Sequence, residues 1–295
     1  MEIKAPFVFQ ADADIVNNVY RTQPNYLIEY NEKASKEYCI IYFSSNDLYY
    51  PNNEIAFTES IINKNRFEWY GNRIHYGHKH IFLRDIKKQW YLTGVNADIN
   101  SPQKLCEFLA QETRGYKAIL LGSSAGGFIS VILGQLLHAE RIYSFNGQFE
   151  IYSLLAKPTA ETIDPILFRN KENEQLLPYY YAANFIKHPQ SIYYFHSSKS
   201  QWDIEQSQQV KKFPIHTISF VTSNHGVPFL KSNLPAVLNL PPEELKKLSG
   251  KTMHPLTFSL KMVGFAKTME GLKSIVQFAL NKIYIRTIQK WKKTK

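Results

Sequence analysis

The chain has 295 residues, 44% of them hydrophobic and 14% aromatic, which supplies a substantial core and excludes a disordered chain. With 13 Gly, 14 Pro and two Cys it is neither collagen-like nor a disulfide framework, and a reducing compartment is expected. The net charge of +10 is lopsided: residues 271–295 hold seven Lys and Arg and no acid, so the rest is only +3, too little to imply a nucleic-acid partner.

The opening Met1-Glu2-Ile3-Lys4-Ala5-Pro6 has neither the charged nor the apolar segment of a secretory leader, so a cytoplasmic location is expected. Short apolar runs then alternate with helical patterns, which predicts an α/β fold with a mostly parallel sheet flanked by helices. The expected strands are Tyr26–Tyr30, Tyr38–Phe43, His80–Arg84, Lys117–Gly122, Arg141–Phe145, Ser191–His196 and Thr217–Thr222. Ser101 and Pro102 make a cap and first turn for a helix to about Arg114. A second helix, about Ala125 to His138, is apolar nearly all round and belongs against the sheet.

His75, His78 and His80 lie close together, but no Cys or Glu accompanies them. They read as a surface histidine cluster, and no metal site is expected. Between 149 and 190 the strand rhythm lapses, with Pro158, Pro165, Pro178 and the run Tyr179-Tyr180-Tyr181. That stretch is expected to be a small helical lid inserted into one domain spanning 1–270. Its tyrosines would form the buried face of the lid or stack on sugar rings. Residues 271–295 should form a basic amphipathic helix from Leu272, Ile275, Val276, Ala279 and Ile283 onward. It would either pack on the body or touch anionic lipid or a partner enzyme.

Gly122-Ser123-Ser124-Ala125-Gly126 matches G-x-S-x-G in the setting that motif requires, a buried strand, a sharp turn and a buried helix. The serine of such a turn is crowded, so its neighbours two residues either side must be small. The turn also aims the unpaired N–H groups of the helix start at any oxyanion formed on the serine. No phosphate-loop lysine follows and no second glycine fingerprint precedes it.

On Gly122, Ser124 and Gly126, with Ser, acid and His in that order, the chain from Tyr38 to His225 resembles the α/β-hydrolase superfamily. The resemblance implies an acid after a late strand and a histidine after the last one. Asp203 lies beyond the strand ending at His196, and His225 follows the strand ending at Thr222. The other intervening aspartate, Asp164, falls within the lid, and Asp203 has an alternative role as cap of a helix from Ile204 to Lys211. In the implied chemistry His225 takes the Ser124 proton, and Asp203 fixes the imidazole tautomer. The oxyanion would sit on the Ala125 N–H and on one from Ser44 or Ser45, although no His-Gly or Gly-Gly pair follows that strand.

Gly122-Ser123-Ser124-x-Gly126-Gly127, Phe145-Asn146-Gly147-Gln148, Leu83-Arg84-Asp85 and Asn224-His225-Gly226 are similar to a group within that superfamily. Its members are associated with bacterial capsule and surface-polysaccharide synthesis and include O-acetyltransferases. This implies acetyl transfer from acetyl-CoA, as co-substrate with no tightly bound cofactor, to a polysaccharide hydroxyl. The enzyme would work beside a membrane-bound synthesis complex. Gln148, Arg84, Asp85 and His196 are the expected substrate contacts, with a turn cap for Gln148 and an Arg84–Asp85 ion pair as the structural alternatives. An esterase or deacetylase would use the same three residues. A non-catalytic scaffold on the same fold is the third reading.

Overall fold

The computed structural model describes residues 5–293, with side chains as far as residue 277. Among the described residues one sheet holds strands β1 (Tyr26–Tyr30), β2 (Tyr38–Phe43), β3 (Lys79–Leu83), β4 (Lys117–Ser123), β5 (Arg141–Phe145), β6 (Ile192–Ser197), β7 (His216–Phe220) and β8 (Thr252–Met253). Their order is β1-β3-β2-β4-β5-β6-β7-β8. β1 runs antiparallel to β3 and the other pairs are parallel. This is an α/β-hydrolase-like architecture, and its centre is β4. Only the two-residue edge strand β8 has no counterpart among the expected strands, because two residues show no periodicity.

The central strands are buried on both faces, which explains their unbroken apolar runs. Alternate residues serve two separate cores. Ile41, Phe43 and Leu120 face one core; Ile40, Tyr42, Ile119 and Leu121 face the other. On the first side pack helices α1 (Pro102–Glu112) and α2 (Ala125–Leu136). Every α2 residue from Ala125 to Gln135 is buried. Ser101 caps α1 by accepting from the Lys104 N–H, with Pro102 in the first turn.

The 149–190 stretch folds as short helical turns, including α3 (Pro165–Arg169), and packs onto the first core. Tyr180 is fully buried, and its hydroxyl donates to the Leu167 and Asn170 carbonyls. Of the tyrosine run, Tyr180 is thus a packing residue, while Tyr179 and Tyr181 are half-buried against the same core. α4 (Gln201–Gln209) follows β6, and α5 (Pro255–Lys293) closes the chain. α5 is two helices meeting at Gly264, whose φ of 78° only glycine adopts easily. It begins well before residue 271. The expected stripe is partly visible, since Ile275 and Val276 are exposed, while the side chains of Ala279, Ile283 and the basic end lie outside the described residues. No helix among the described residues is long and apolar enough to cross a membrane.

His78 and His80 are not on the surface as expected but buried. His80 Nδ1 meets the Tyr42 hydroxyl and its Nε2 meets the Gly77 carbonyl, while His78 Nδ1 meets Tyr116. Their imidazoles are engaged in the packing of β2 and β3.

Candidate active site

β4 ends at Ser123, and Ser124 takes φ 52° and ψ −119° before α2 begins at Ala125. A serine is strained there, and such strain survives only where the surroundings over-determine it. The surroundings are backbone. A Cβ on Gly122 would lie 2.2 Å from the Gly126 carbonyl carbon, and one on Gly126 would lie 2.4 Å from the Phe43 carbonyl oxygen. Only glycine at both positions lets α2 start this close to β2 and β4. The Ser124 N–H is tied to the Phe145 carbonyl at 2.9 Å, and Ala125 is the first residue of α2, where the N–H has no partner within the helix.

His225 arrives from the loop after β7 and brings its Nε2 to 2.9 Å from Ser124 Oγ. Its Nδ1 lies 2.8 Å from Asp203 Oδ1. The carboxylate accepts from Nδ1–H, which leaves Nε2 to accept from the serine hydroxyl. Asp203 is 1% exposed, and its second oxygen is buried without a partner among the described residues. It occupies the first turn of α4 and does not cap it; Ser200 does, accepting the Asp203 N–H. Trp202 stacks on the His225 ring at 6.0 Å, and Lys157 from the insertion covers the indole at 4.0 Å. Asp164, the other aspartate after Ser124, is buried at the start of α3 and does not line the site.

A pocket of about 190 Å³ opens onto Ser124 and His225, with Ser45, Asp47, Glu68, Asn224 and Lys231 in its wall. None of its lining residues comes from the 149–190 stretch, and none is Phe, Tyr or Trp. Lys231 sits on a turn braced by α5: a Cβ on Gly271 would lie 2.5 Å from Ser232 Oγ.

The two N–H groups expected to complete an oxyanion hole after β2 both have partners. The Ser44 N–H is spent on the Leu83 carbonyl at 3.1 Å, extending the β2–β3 ladder. The Ser45 N–H donates to the Glu68 carboxylate at 2.5 Å. Burial pushes the Glu68 carboxyl up, against the pull of that hydrogen bond. Both backbone donors after β2 are therefore occupied.

Gln148 does reach the nucleophile: its Nε2 lies 3.4 Å from Ser124 Oγ, and its Oε1 accepts from Trp90 Nε1–H at 3.0 Å. The other expected substrate contacts lie elsewhere. Arg84 donates to the Asn25 and Asn65 side chains and lies over the Phe67 ring. Asp85 does not pair with it; its carboxylate accepts the N–H groups of Lys87, Gln89 and Tyr91 and so shapes the loop after β3. His196 shares a 2.7 Å hydrogen bond with Ser219 and stacks on Tyr194. All three are buried, and none lines the pocket, because residues at the end of a central strand serve the core as readily as the site.

Three contributors escaped the sequence reading. Asn146 Nδ2 faces the carbonyls of Asn224 and Gly226 on both sides of His225, at 3.1 and 2.9 Å, while its Oδ1 accepts the Ser197 N–H. It thereby ties the histidine loop to β5 and β6. Its φ of 44° was hinted at by the Asn146-Gly147 pair, which favours left-handed turns. Glu68 and Trp90 left no local signal.

No family model matches the sequence, and neither does any curated protein. Among solved structures the chain is similar to the capsule O-acetyltransferase of Neisseria meningitidis serogroup A, with 12% identity over 68% of this chain and 84% of that one, at a TM-score of 0.44. It is likewise similar to esterase B from Lactobacillus rhamnosis, with 12% identity over 91% and 90% of the two chains and a TM-score of 0.40. A third likeness is to the glycosylation-associated Gap123 complex of Streptococcus agalactiae, with 13% identity over 66% of this chain and 39% of that one, at 0.41. The chemistry of the site rests on its own residues.

Proposed function

We propose that the protein is a serine acyl-enzyme catalyst that moves an acetyl group from acetyl-CoA to a hydroxyl of a bacterial surface polysaccharide. The observation that carries this reading is the continuous relay from Ser124 Oγ through His225 to the buried Asp203, mounted on a strained elbow.

Ser124 Oγ attacks the thioester carbonyl while its proton passes to His225 Nε2. The carbonyl electron pair moves to oxygen, beside the Ala125 N–H. Collapse expels the thiolate, which takes the proton from His225, and leaves acetyl-Ser124. The acceptor hydroxyl then gives its proton to His225 and attacks the acetyl carbonyl; collapse returns the proton to Ser124 Oγ. Asp203 stabilises the imidazolium at both stages. The polysaccharide acceptor and the acetyl donor rest on the sequence resemblance. The wall supports them chemically: Asp47, Glu68 and Asn224 suit a polyhydroxylated acceptor, and Lys231 a phosphorylated donor.

A second reading has an observation in its favour. The His225 side chain is 40% exposed, so water can reach the acyl-enzyme, as an esterase requires. A fluorophosphonate probe should label the wild type and not Ser124→Ala; absence of labelling would overturn the acyl-enzyme reading and leave a scaffold, and labelling that survives the substitution would overturn the assignment of Ser124 as nucleophile. Incubation with acetyl-CoA and polysaccharide then separates the two enzymes. Acetylated polymer supports transfer, and free acetate alone supports hydrolysis.

A further inference from the structure

We propose that the Gln148 side-chain amide is the second donor of the oxyanion hole, and that Trp90 is the residue that positions it. The proposal rests on the acyl-enzyme reading and adds to it a catalytic residue and the device that aims it.

The need for such a donor follows from the loop after β2. An oxyanion held by the Ala125 N–H alone lacks its second partner, and the Ser44 and Ser45 amides are both engaged. A carboxylate already on the Ser45 N–H also opposes negative charge beside it. The opposite flank of β4 is different. Gln148 follows β5, is 1% exposed, and points its Nε2 at Ser124 Oγ from 3.4 Å. That is long for a bond to the resting hydroxyl. Once Oγ is bonded to the acyl carbon, the carbonyl oxygen stands one atom further out, where this N–H can close on it.

A glutamine amide donates only if it is turned the right way, and here the choice is made for it. The Trp90 indole N–H, which can only donate, takes Gln148 Oε1 at 3.0 Å. The amide nitrogen is thereby directed toward Ser124, with one N–H on the Asn146 carbonyl at 3.3 Å and the other left for the Ser124 side. Trp90 is itself held at strain: Lys88, Trp90 and Tyr91 have φ of 55°, 53° and 60°. The Asp85 carboxylate holds the loop in that shape through three backbone N–H groups. Non-glycine residues in succession in this region cost free energy, and the indole placement is what the loop achieves. Gln89 in the same loop accepts the Ile166 and Leu167 N–H groups of α3, so the insertion braces the loop although it does not line the pocket.

The test compares fluorophosphonate labelling and p-nitrophenyl acetate turnover across four variants, each checked for folding by thermal melting. Gln148→Glu keeps the shape and the indole bond but loses the N–H; Gln148→Met loses both. Each should lower the labelling rate and kcat by about 10²- to 10³-fold with KM little changed, the scale of losing one oxyanion donor. Trp90→Phe should lower kcat by about tenfold, and adding it to Gln148→Met should cost nothing more, because the two act in series. Gln148→Glu or Gln148→Met within about threefold of wild type would overturn the proposal. Should the Gln148 variants not fold, Trp90→Phe decides: a fall in kcat at constant KM supports the proposal, and unchanged kcat overturns it. A wild type that takes no label refutes the acyl-enzyme reading itself, so the two failures are distinguishable.

Discussion

Replacing Asp203 by asparagine isolates the charge in the relay from its geometry. In this protein Oδ1 takes the His225 Nδ1–H at 2.8 Å, while Oδ2 is buried with no donor beside it among the described residues. The introduced side-chain amide can thus keep its carbonyl oxygen on His225 and turn its NH2 to the far side, preserving the tautomer. What disappears is attraction between carboxylate and imidazolium. At about 4 Å and an effective dielectric of about 20 that attraction is about 4 kcal/mol, a factor of about 10³. Because His225 is 40% exposed, solvent screens part of it, and a loss of about 10² to 10³ in kcat/KM is expected. A serine-protease relay whose asparagine imposes the wrong tautomer loses about 10⁴. Asp203→Ala, which also removes the orienting bond, should fall further. The assay is p-nitrophenyl acetate hydrolysis between pH 6 and 9, with Asp164→Asn beside it as the control expected to retain activity. A loss below tenfold in Asp203→Asn, or an equal loss in Asp164→Asn, would refute the assignment.

Gly126→Ala places a methyl 2.4 and 2.8 Å from the Phe43 and Ser44 carbonyl oxygens, and backbone on that side cannot rotate away. Overpacking of about 3 kcal/mol is expected, seen as a lower Tm together with lost fluorophosphonate labelling, whereas Gly71→Ala, with nothing within 4 Å, should change neither. Burial raises the Asp164 carboxyl from 3.8 to about 6. A raised folded-state pKa means the fold favours the protonated acid: that contribution is complete below about pH 3.8 and is lost as pH rises through about 6. By pH 8 the charged form costs about 3 kcal/mol, so Asp164→Asn should raise Tm at pH 8 and leave it unchanged near pH 3.5. Equal Tm at pH 8 would show that the carboxylate is better solvated than its burial implies.

What could be read along the chain was whatever a local backbone demand forces into a residue choice. The α/β architecture showed in the apolar runs of β2, β4 and β6, and the strained turn in Gly122, Ser124 and Gly126. His225 could be placed because the chain order leaves it after the last full-length strand. Arg84, Asp85 and His196 looked equally suited to a site and were misplaced, since a strand-end polar residue buried by tertiary neighbours carries the same local pattern. The engagement of the N–H groups after β2 escaped the sequence for a related reason. Whether the Ser45 N–H is free depends on Glu68, 23 residues away on a loop without periodicity, and no property of Ser44-Ser45 reveals it. Gln148 was singled out for its place past β5, yet the indole that orients it comes from 58 residues earlier.

The relay does not decide between water and a sugar hydroxyl, because His225 would deprotonate either. On the proposed reading the pocket wall would decide. Water is present at about 55 M, while a hydroxyl held in line by bound neighbours reaches an effective concentration of about 10⁵ M or more. A site as open as this one, with His225 partly in solvent, can therefore still favour transfer once Asp47, Glu68 and Asn224 hold an acceptor. Without an acceptor, the proposed acyl-enzyme would hydrolyse. Glu68 links the two proposals: it lines the pocket and occupies the Ser45 N–H. On those proposals its negative charge would serve the acceptor wall, and stabilising the oxyanion would fall to the opposite flank of β4, where Ala125 begins its helix and Trp90 orients Gln148.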